Sequence, residues 1–501
     1  MAERPAGWRA DGLAALAGAA TVGAFAPFEL LPLAVLGPAV LLWLWQGATV
    51  GAAARRGFAF GLGLFGAGVH WVWVSIHTFG HTPAVLAGGL TLVFVVVLAG
   101  YFALQGAAGA WLARRLDARG VPATALLLVL HPALWVLVEW LRGWLFTGFP
   151  WLQLGYAAGE GPLAGWVPIL GVFGASALLA LSAGLLVRLL RPPRRAPVIA
   201  LAVLWLASPL LGLVAWTEPT GERHSVAMVQ GDVDQDEKWQ PANRGWILER
   251  YARLSRQHAG ADLVLWPETA VPAFYQQVAG SVLEPLAEEL AEEGSELVVG
   301  APRRGEAGYY NVLERVGADE RYTKHHLVPF GEYLPFDAWL RGLIDFFDLP
   351  MSDFRAGTPR QPPLAAGGME MGVSICYEDA FGGEVRGPLP AAGVLVNVSN
   401  DAWWGDTVGP HQHLEIAAFR ALEAGRPMLR ATNNGITARI DHRGRVAERL
   451  PQFETAVMTT EVAPRSGATP WVQWGNAPVV VVAFGALAAL GLWPTGRRRR
   501  A

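Results

Sequence analysis

The stretch "MGVSICYEDA", residues 371–380, contains the single cysteine of a 501-residue chain. Residues 371–375 have the length and apolar character of a buried strand, and Cys376 follows directly before Tyr377, Glu378 and Asp379. Active groups of α/β folds gather where strands end. Cys376 is therefore either a small buried hydrophobe or a reactive thiol at a sheet edge, and a single cysteine excludes an internal disulfide.

Short apolar runs of the same kind recur from about residue 222 to residue 462. Between them lie charged stretches with helical periodicity, at 244–259, 280–294 and 413–425. The runs are "SVAMVQG", "DLVLWPE", "ELVVGAP", "MGVSICYED", "GVLVNVSND", "PMLRATN", "ITARIDHRGRV" and "AVMTTEV". This alternation predicts an α/β domain with buried strands covered by helices, and "DHRGRV" predicts a hairpin turn.

Two further strand ends carry ionisable residues. "LVLWPETA", residues 263–270, delivers Glu268, and "YTKHHLVPFGEYLP", residues 322–335, contains Lys324 and Glu332. A carboxylate can take the proton of a thiol as general base, and an ammonium can stabilise a developing oxyanion. Glu268, Lys324 and Cys376 together are suited to acyl transfer through a thioester.

Structural roles must be weighed against this chemistry. A cysteine at a strand end is more often an inert core residue, and Glu268 after a proline fits a helix cap equally well. Lysine usage favours a functional site, because the chain has 37 arginines but only two lysines, Lys238 and Lys324. His411 and His413 in "GPHQH" fit packing at a helix start better than a metal site, since a third ligand is not evident. The sequon "NVS" at 397–399 falls in a predicted buried strand.

The composition indicates a membrane protein, because 52% of residues are hydrophobic and 16% are charged. The charges are segregated along the chain. Residues 217–470 carry 36 acidic and 23 basic side chains, whereas the remainder carries 6 acidic and 16 basic ones. A soluble acidic block therefore lies within an apolar chain with basic loops.

Eight stretches are apolar and long enough to predict membrane-spanning helices. They lie near residues 11–27, 30–47, 58–76, 83–112, 123–145, 163–187, 197–216 and 471–493. The predicted domains are thus a seven-helix transmembrane domain at 1–216, a catalytic domain at 217–470, and an eighth helix with a basic tail at 471–501.

Basic residues fall in every second connection between the predicted spans. The clusters are Arg4 with Arg9; Arg55 with Arg56; Arg114, Arg115 and Arg119; Arg188, Arg191, Arg194 and Arg195; and Arg497–Arg500. Because basic loops are retained on the cytoplasmic side, both termini are predicted to be cytoplasmic and the block at 217–470 extracytoplasmic.

Polar residues inside the predicted spans are His70, His131, Glu139 and Arg142. A structural pairing such as Glu139 with Arg142 is favoured over a contact with substrate or lipid headgroups. "GLGLFG" at 61–66 has the glycine spacing of a dinucleotide-binding turn but lacks a preceding strand and an acidic partner. Its glycines are interpreted as helix-packing residues.

The three strand-end motifs resemble those of the nitrilase, or carbon-nitrogen hydrolase, superfamily. With eight spans around them, the whole chain resembles the bacterial apolipoprotein N-acyltransferase family. The resemblance implies an αββα sandwich with Glu268 as general base, Lys324 as oxyanion stabiliser and Cys376 as nucleophile. It also implies supporting or substrate-binding roles, held by Glu332, Tyr377, Glu378, Trp239, Asn311, Trp403 and Trp404.

The resemblance further implies the reaction. An acyl chain moves from a phospholipid, typically phosphatidylethanolamine, to the α-amino group of the N-terminal diacylglyceryl-cysteine of an apolipoprotein, as the last step of bacterial lipoprotein maturation. The course is ping-pong, and the protein is expected as a monomer in the cytoplasmic (inner) membrane, with its catalytic domain on the periplasmic side. No cofactor, metal or nucleic acid is expected. The apolar stretch 336–354 is interpreted either as an arm resting on lipid or as a packed helix.

Two other functions compete with this one. A membrane-anchored amidase or nitrilase would hydrolyse a carbon-nitrogen bond, but such an enzyme needs one anchor rather than eight spans. A transporter or receptor with an external domain would need ionisable groups or broken helices in its spans, and these are scarce here.

Overall fold

The computed structural model describes residues 5–333 and 354–494. It comprises two compact units, one formed by residues up to Trp73, Ala84–Val214 and the residues from Trp474 onward, and one formed by Val74–Pro83 and Ala215–Gln473. Arg4, Arg497–Arg500 and nearly all of the apolar stretch 336–354 lie outside the described residues.

The first unit is helical. Its helices of ten or more residues are Trp8–Thr21, Pro32–Trp45, Val50–Gly68, Ala84–Ala118, His131–Arg142, Val167–Arg188, Arg195–Leu211 and Ala477–Gly491. Within the described residues, three helical segments are long and apolar enough to cross a membrane: Ala84–Ala118, Ala123–Arg142 and Ala164–Arg188. A fourth results if Val50–Gly68 and Trp71–Phe79 form one span, and three shorter apolar helices accompany them. A membrane region with several helices is therefore present, and the count of eight spans stays a prediction.

Glycines allow close packing between these helices. A Cβ atom at Gly61 would lie 2.6 Å from the Cα atom of Ala99, and one at Gly63 would collide with the carbonyl oxygen of Ala15. Two glycines of "GLGLFG" therefore lie in helix contacts inside Val50–Gly68, as predicted.

Three of the polar residues in the predicted spans, His131, Glu139 and Arg142, are buried and contact neighbours within this unit. Glu139 accepts hydrogen bonds from Trp135 Nε1 (2.9 Å), Leu154 N (2.8 Å) and Ser176 Oγ (2.5 Å). Arg142 donates to the carbonyl oxygens of Phe149 (2.6 Å) and Trp151 (2.5 Å). His131 stacks on Trp45 with 5.6 Å between ring centroids. These contacts fit structural roles.

The second unit is an α/β domain. Its strands within the described residues are β1 Thr217–Pro219, β2 His224–Gln230, β3 Leu263–Leu265, β4 Glu296–Gly305, β5 Gly308–Arg315, β6 Arg321–Thr323, β7 Leu364–Ala366, β8 Met369–Ile375, β9 Val394–Ser399, β10 Met428–Thr432, β11 Ala438–Ile440, β12 Val446–Arg449, β13 Ala456–Val462 and β14 Arg465–Gly467. Every predicted strand run coincides with one of these strands. β11 and β12 form the hairpin predicted around "DHRGRV".

Twelve of the strands form two six-stranded sheets. Their orders are β13-β2-β3-β4-β5-β6 and β12-β11-β10-β9-β8-β7. The centre of each sheet is parallel, with β2, β3 and β4 in one and β8, β9 and β10 in the other. Parallel strands end at a common edge, so the residues that follow β3, β8 and β9 are brought to one end of each sheet.

Helices cover each sheet, and the central strands β3, β9 and β10 are therefore buried on both faces. Arg244–Arg256 and Glu284–Glu292 share an apolar core with β2, β3 and β4, and Gly409–Ala424 shares a second core with β9, β10 and β11. β2 also contacts β10, so the two sheets adjoin. The order of layers is helix, sheet, sheet, helix, and the "NVS" sequon lies in the fully buried strand β9.

The segment Val74–Pro83 belongs to the α/β unit although it precedes that unit by more than one hundred residues. Ser75 Oγ donates a hydrogen bond of 2.8 Å to the carbonyl oxygen of Trp403, and the ring of Phe79 meets that of Trp403 edge-on at 6.1 Å. His81 Nε2 lies 3.7 Å from a carboxylate oxygen of Asp236. This segment therefore packs at the end of the domain where the residues that follow β9 lie.

Candidate active site

Glu268 follows β3, whose three residues are fully buried. The turn is tight: a Cβ atom at Gly300 of β4 would collide with the carbonyl oxygen of Pro267, so β4 needs glycine there. Trp266 Nε1 donates to Ser255 Oγ at 2.8 Å, which fixes the start of the turn. The chain can then direct Glu268 away from the sheet and into a buried polar site.

Lys324 follows β6 and reaches two carboxylates at once. Its Nζ atom lies 3.0 Å from Glu268 Oε1 and 2.9 Å from Glu332 Oε1. Asn311 Nδ2 donates to the same two oxygens, at 2.8 and 3.0 Å. The second oxygen of Glu268 accepts from the backbone N–H of Asn400 at 2.9 Å, so this carboxylate is held on both sides.

Lys324 is 1% exposed. Burial opposes its charge, but the carboxylates of Glu268 and Glu332 outweigh burial and raise the pKa of Lys324 well above its ordinary value. The residue is therefore a fixed ammonium in a water-poor site.

Cys376 begins a turn, Cys376–Ala380, directly after β8. Its φ of 53° lies in the left-handed region, a strained conformation that is frequent at functional sites. Its carbonyl oxygen accepts a hydrogen bond from Asn397 Nδ2 at 3.1 Å and lies 3.2 Å from His413 Nε2. The backbone of the cysteine is thus held from two neighbouring elements.

The thiol of Cys376 interacts electrostatically with both other motif residues. Burial raises its pKa well above the ordinary value, and the charge of Glu268 raises it further. The ammonium of Lys324 and a hydrogen bond with Ser399 act in the opposite direction. The resting thiol is therefore protonated and needs a base before it can act as a nucleophile.

Glu378 holds the turn after Cys376 to the Lys324 segment. One carboxylate accepts hydrogen bonds from Ile375 N (2.7 Å), His325 N (2.6 Å), His326 N (3.0 Å) and Tyr322 Oη (3.1 and 3.0 Å). Burial and the nearby charge of Glu384 raise the pKa of Glu378 to about 7. This residue links two motif segments that are fifty residues apart in sequence.

Tyr377 lies in an aromatic cluster beside this link. Its ring packs edge-on against Phe381 at 5.0 Å and against His326 at 5.9 Å. His326 stacks on Phe381 at 3.6 Å and its Nδ1 atom lies 2.8 Å from Glu384 Oε1. The cluster packs the turn tightly on the side of Tyr377.

The tryptophans predicted from the motifs lie at the same end of the domain. Trp239 follows the short helix Gln235–Lys238, and its Nε1 atom is buried without a hydrogen-bond partner in the described structure. Trp403 contacts Ser75 and Phe79, and Trp404 packs edge-on against His413 at 4.9 Å. These two therefore connect the segment Val74–Pro83 to the region behind Cys376.

A buried ionic network behind the cysteine is not anticipated by the motifs. His413 bridges Asp379 (3.0 Å) and Asp401 (3.0 Å), and Arg430 contacts the same two carboxylates at 3.3 and 2.9 Å. All four side chains are fully buried. Asp379 and Asp401 each follow a buried strand, which is the one sequence signal that could have indicated them. His413 lies near the start of the helix Gly409–Ala424, so the predicted structural role of this residue agrees with the network.

Two parts of the chain match known protein families. Residues 225–470 match the carbon-nitrogen hydrolase family, and residues 17–185 match the N-terminal domain of apolipoprotein N-acyltransferases. The chain is 45% identical to the apolipoprotein N-acyltransferase of Methylococcus capsulatus over 95% of this chain and 94% of the relative. It is 43% identical to that of Nitrosomonas europaea, with 96% and 97% covered. The chain therefore belongs to the apolipoprotein N-acyltransferase family, whose members are acyltransferases.

Proposed function

We propose that this protein transfers an acyl chain from a phospholipid to the α-amino group of the N-terminal diacylglyceryl-cysteine of an apolipoprotein. The observation that carries the proposal is the contact of Lys324 with Glu268 and Glu332 in a buried site that also acts on the thiol of Cys376. The relatives from Methylococcus capsulatus and Nitrosomonas europaea, both apolipoprotein N-acyltransferases, support the same activity. Phosphatidylethanolamine is the proposed donor.

The first half-reaction acylates the cysteine. Glu268 takes the proton of the Cys376 thiol, and the sulfur attacks the ester carbonyl of the phospholipid. Lys324 stabilises the oxyanion that develops. The carbon–oxygen bond then breaks, Glu268 returns its proton to the departing alkoxide, and lysophospholipid leaves behind a thioester.

The second half-reaction transfers the chain. The α-amino group of the apolipoprotein attacks the thioester carbonyl, and Glu268 takes a proton from the nitrogen. The carbon–sulfur bond breaks, the thiolate recovers that proton, and an amide is released. Glu332 and Asn311 are proposed to position Lys324, while Glu378 and Tyr377 position the cysteine turn. Trp239, Trp403 and Trp404 are proposed to line the substrate approach.

Both proposed substrates carry acyl chains that lie in the bilayer, which gives the membrane region of the enzyme a role. Extracting an acyl chain from a bilayer costs about 0.8 kcal/mol per methylene, so an enzyme that stays beside the bilayer avoids that cost. We propose eight spans, with domains at 1–216, 217–470 and 471–501. Because basic clusters occupy alternate connections, we propose that both termini are cytoplasmic and that a monomeric enzyme works on the periplasmic side of the inner membrane.

Intact-mass measurement of the full-length protein in phospholipid nanodiscs tests this function. The wild type should gain the mass of one acyl chain, and Cys376→Ser should gain none. Addition of a diacylglyceryl-cysteine peptide should remove the adduct and yield the triacylated peptide, whereas the same peptide with a blocked α-amino group should not. An adduct that persists in Cys376→Ser, or that is lost to water at the same rate without peptide, would contradict the proposal.

A further inference from the structure

Both lysines of this chain are buried beside the same turn. Lys238 ends the short helix Gln235–Lys238 and is 1% exposed, as is Lys324. Lys238 Nζ donates a hydrogen bond of 2.8 Å to Thr269 Oγ1, and Thr269 directly follows Glu268. One lysine therefore contacts the carboxylate of Glu268, and the other contacts the residue next to it.

Lys238 lacks a direct ion pair. Among residues 5–333 and 354–494, no carboxylate lies within 4.0 Å of its Nζ atom. A buried ammonium without a paired carboxylate is costly, and the anion that acts most on Lys238 is Glu268. Burial lowers the pKa of Lys238 to about 7, and the charge of Glu268 opposes that effect.

Thr269 gives the contact a geometric role as well. Its φ of 47° lies in the left-handed region, which is strained for a β-branched residue. The hydroxyl is held by Lys238, and this contact restricts the turn that directs Glu268 toward Asn400 and Lys324. The same short helix also provides Gln235, whose Oε1 atom accepts from Asn400 Nδ2 at 2.8 Å.

We propose that Lys238 is a positioning residue for Glu268: it holds the Thr269 turn, and its ammonium attracts the carboxylate that accepts the thiol proton. This inference rests on the proposed function of Glu268 as general base. The interaction free energy between the Lys238 ammonium and the Glu268 carboxylate is reciprocal, so each charge stabilises the other by the same amount. The effect can therefore be measured from either side.

The first measurement is the pH dependence of Cys376 acylation in the full-length protein. Lys238→Met should move the acidic limb to higher pH, because Glu268 loses a neighbouring cation, and acylation on that limb should fall relative to the wild type. Thr269→Val removes the hydrogen bond but keeps the charge, so it should lower the rate at every pH without moving the limb. An unmoved limb in Lys238→Met, whether the rate is unchanged or uniformly lower, would overturn the proposal.

The second measurement does not need a Lys238 variant to be active. Because the chain has two lysines, isotope-labelled lysine gives two NMR signals, which Lys324→Arg assigns. Glu268→Gln should lower the titration midpoint of Lys238, whereas Glu332→Gln should leave it unchanged. An unchanged midpoint in Glu268→Gln would overturn the inference even if the enzyme is an acyltransferase. Failure of the proposed function would appear separately, as a wild type without a Cys376 adduct.

Discussion

Lys324 Nζ lies at nearly equal distances from Glu332 and Glu268, 2.9 and 3.0 Å, so one ammonium is shared between two carboxylates. Asn311 repeats the pattern with one amide group. Because two carboxylates contact one ammonium, Glu268 can take a proton while Glu332 keeps Lys324 in place. The site can thus pass a proton without losing the positive charge that an oxyanion needs.

Lys324→Arg should lower acylation of Cys376 by about 10²-fold or more, although it keeps the charge. A planar guanidinium does not fit a pocket shaped for a compact ammonium, and its fork would displace one of the two carboxylates. The measurement is the rate of adduct formation by intact mass. Arg439→Lys is the matched control, because Arg439 forms a more exposed pair with Glu448 and should tolerate the exchange. Wild-type rates in Lys324→Arg would contradict the role assigned to the ammonium.

Glu378 should make the stability of the protein depend on pH. Its pKa of about 7 in the folded protein lies above its ordinary value of 4.5, so between these values the folded protein keeps a proton that the unfolded chain releases. Its contribution to stability is complete below pH 4.5 and is lost as the pH rises to about 7, an effect on the order of 3 kcal/mol. Glu378→Gln does not titrate. The difference in unfolding free energy between wild type and variant should therefore change by this amount between pH 4.5 and 8, and a constant difference would refute the assignment.

His413→Gln should destabilise the catalytic domain. The change leaves Asp379 and Asp401 to share Arg430 in a fully buried site, and breaking a buried ionic contact costs about 3–5 kcal/mol. The measurement is chemical unfolding in detergent. His411→Gln, on the same helix but only partly buried, should cost less than about 1 kcal/mol. Equal losses in the two variants would show that the network does not carry this stability.

The sequence predicts local features better than distant contacts. The strand runs are visible because a short run of β-branched and apolar residues such as "GVLVNVS" is typical of a buried strand. Glu268 and Cys376 are visible because each follows such a strand, whereas Lys324 follows the partly exposed strand β6 and is indicated by the rarity of lysine in the chain. The contacts among His413, Asp379 and Arg430 could not be predicted, since these residues come from a helix start, a turn and a strand interior. The packing of residues 74–83 on the α/β unit is hidden for the same reason. Contacts between distant segments depend on how the sheets are ordered, which a single sequence does not specify.

Phe79→Ala should slow acylation about two- to tenfold. The edge-on contact between Phe79 and Trp403 contributes about 0.5–1.5 kcal/mol, and its loss should loosen the turn Asp401–Trp404 that carries Asp401. The rate of adduct formation in the full-length protein measures the effect. Phe146→Ala removes a ring that is 69% exposed and should leave the rate unchanged. A Phe79→Ala protein with the wild-type rate would mean that residues 74–83 pack on the domain without supporting its site.

Two glycines of the helix Ala84–Ala118 provide a test of the packing in the helical unit. A Cβ atom at Gly106 would collide with the carbonyl oxygen of Ala53, so Gly106→Ala must push the helix away from Val50–Gly68. Nothing lies within 4 Å of a Cβ atom at Gly88, so Gly88→Ala adds a methyl group without a clash. We expect Gly106→Ala to lower stability by about 1–3 kcal/mol, the usual cost of overpacking, and Gly88→Ala to be neutral or slightly stabilising. Thermal unfolding of both variants in the same detergent gives the comparison. If Gly106→Ala were as stable as Gly88→Ala, the close contact between Gly106 and the carbonyl oxygen of Ala53 would be contradicted.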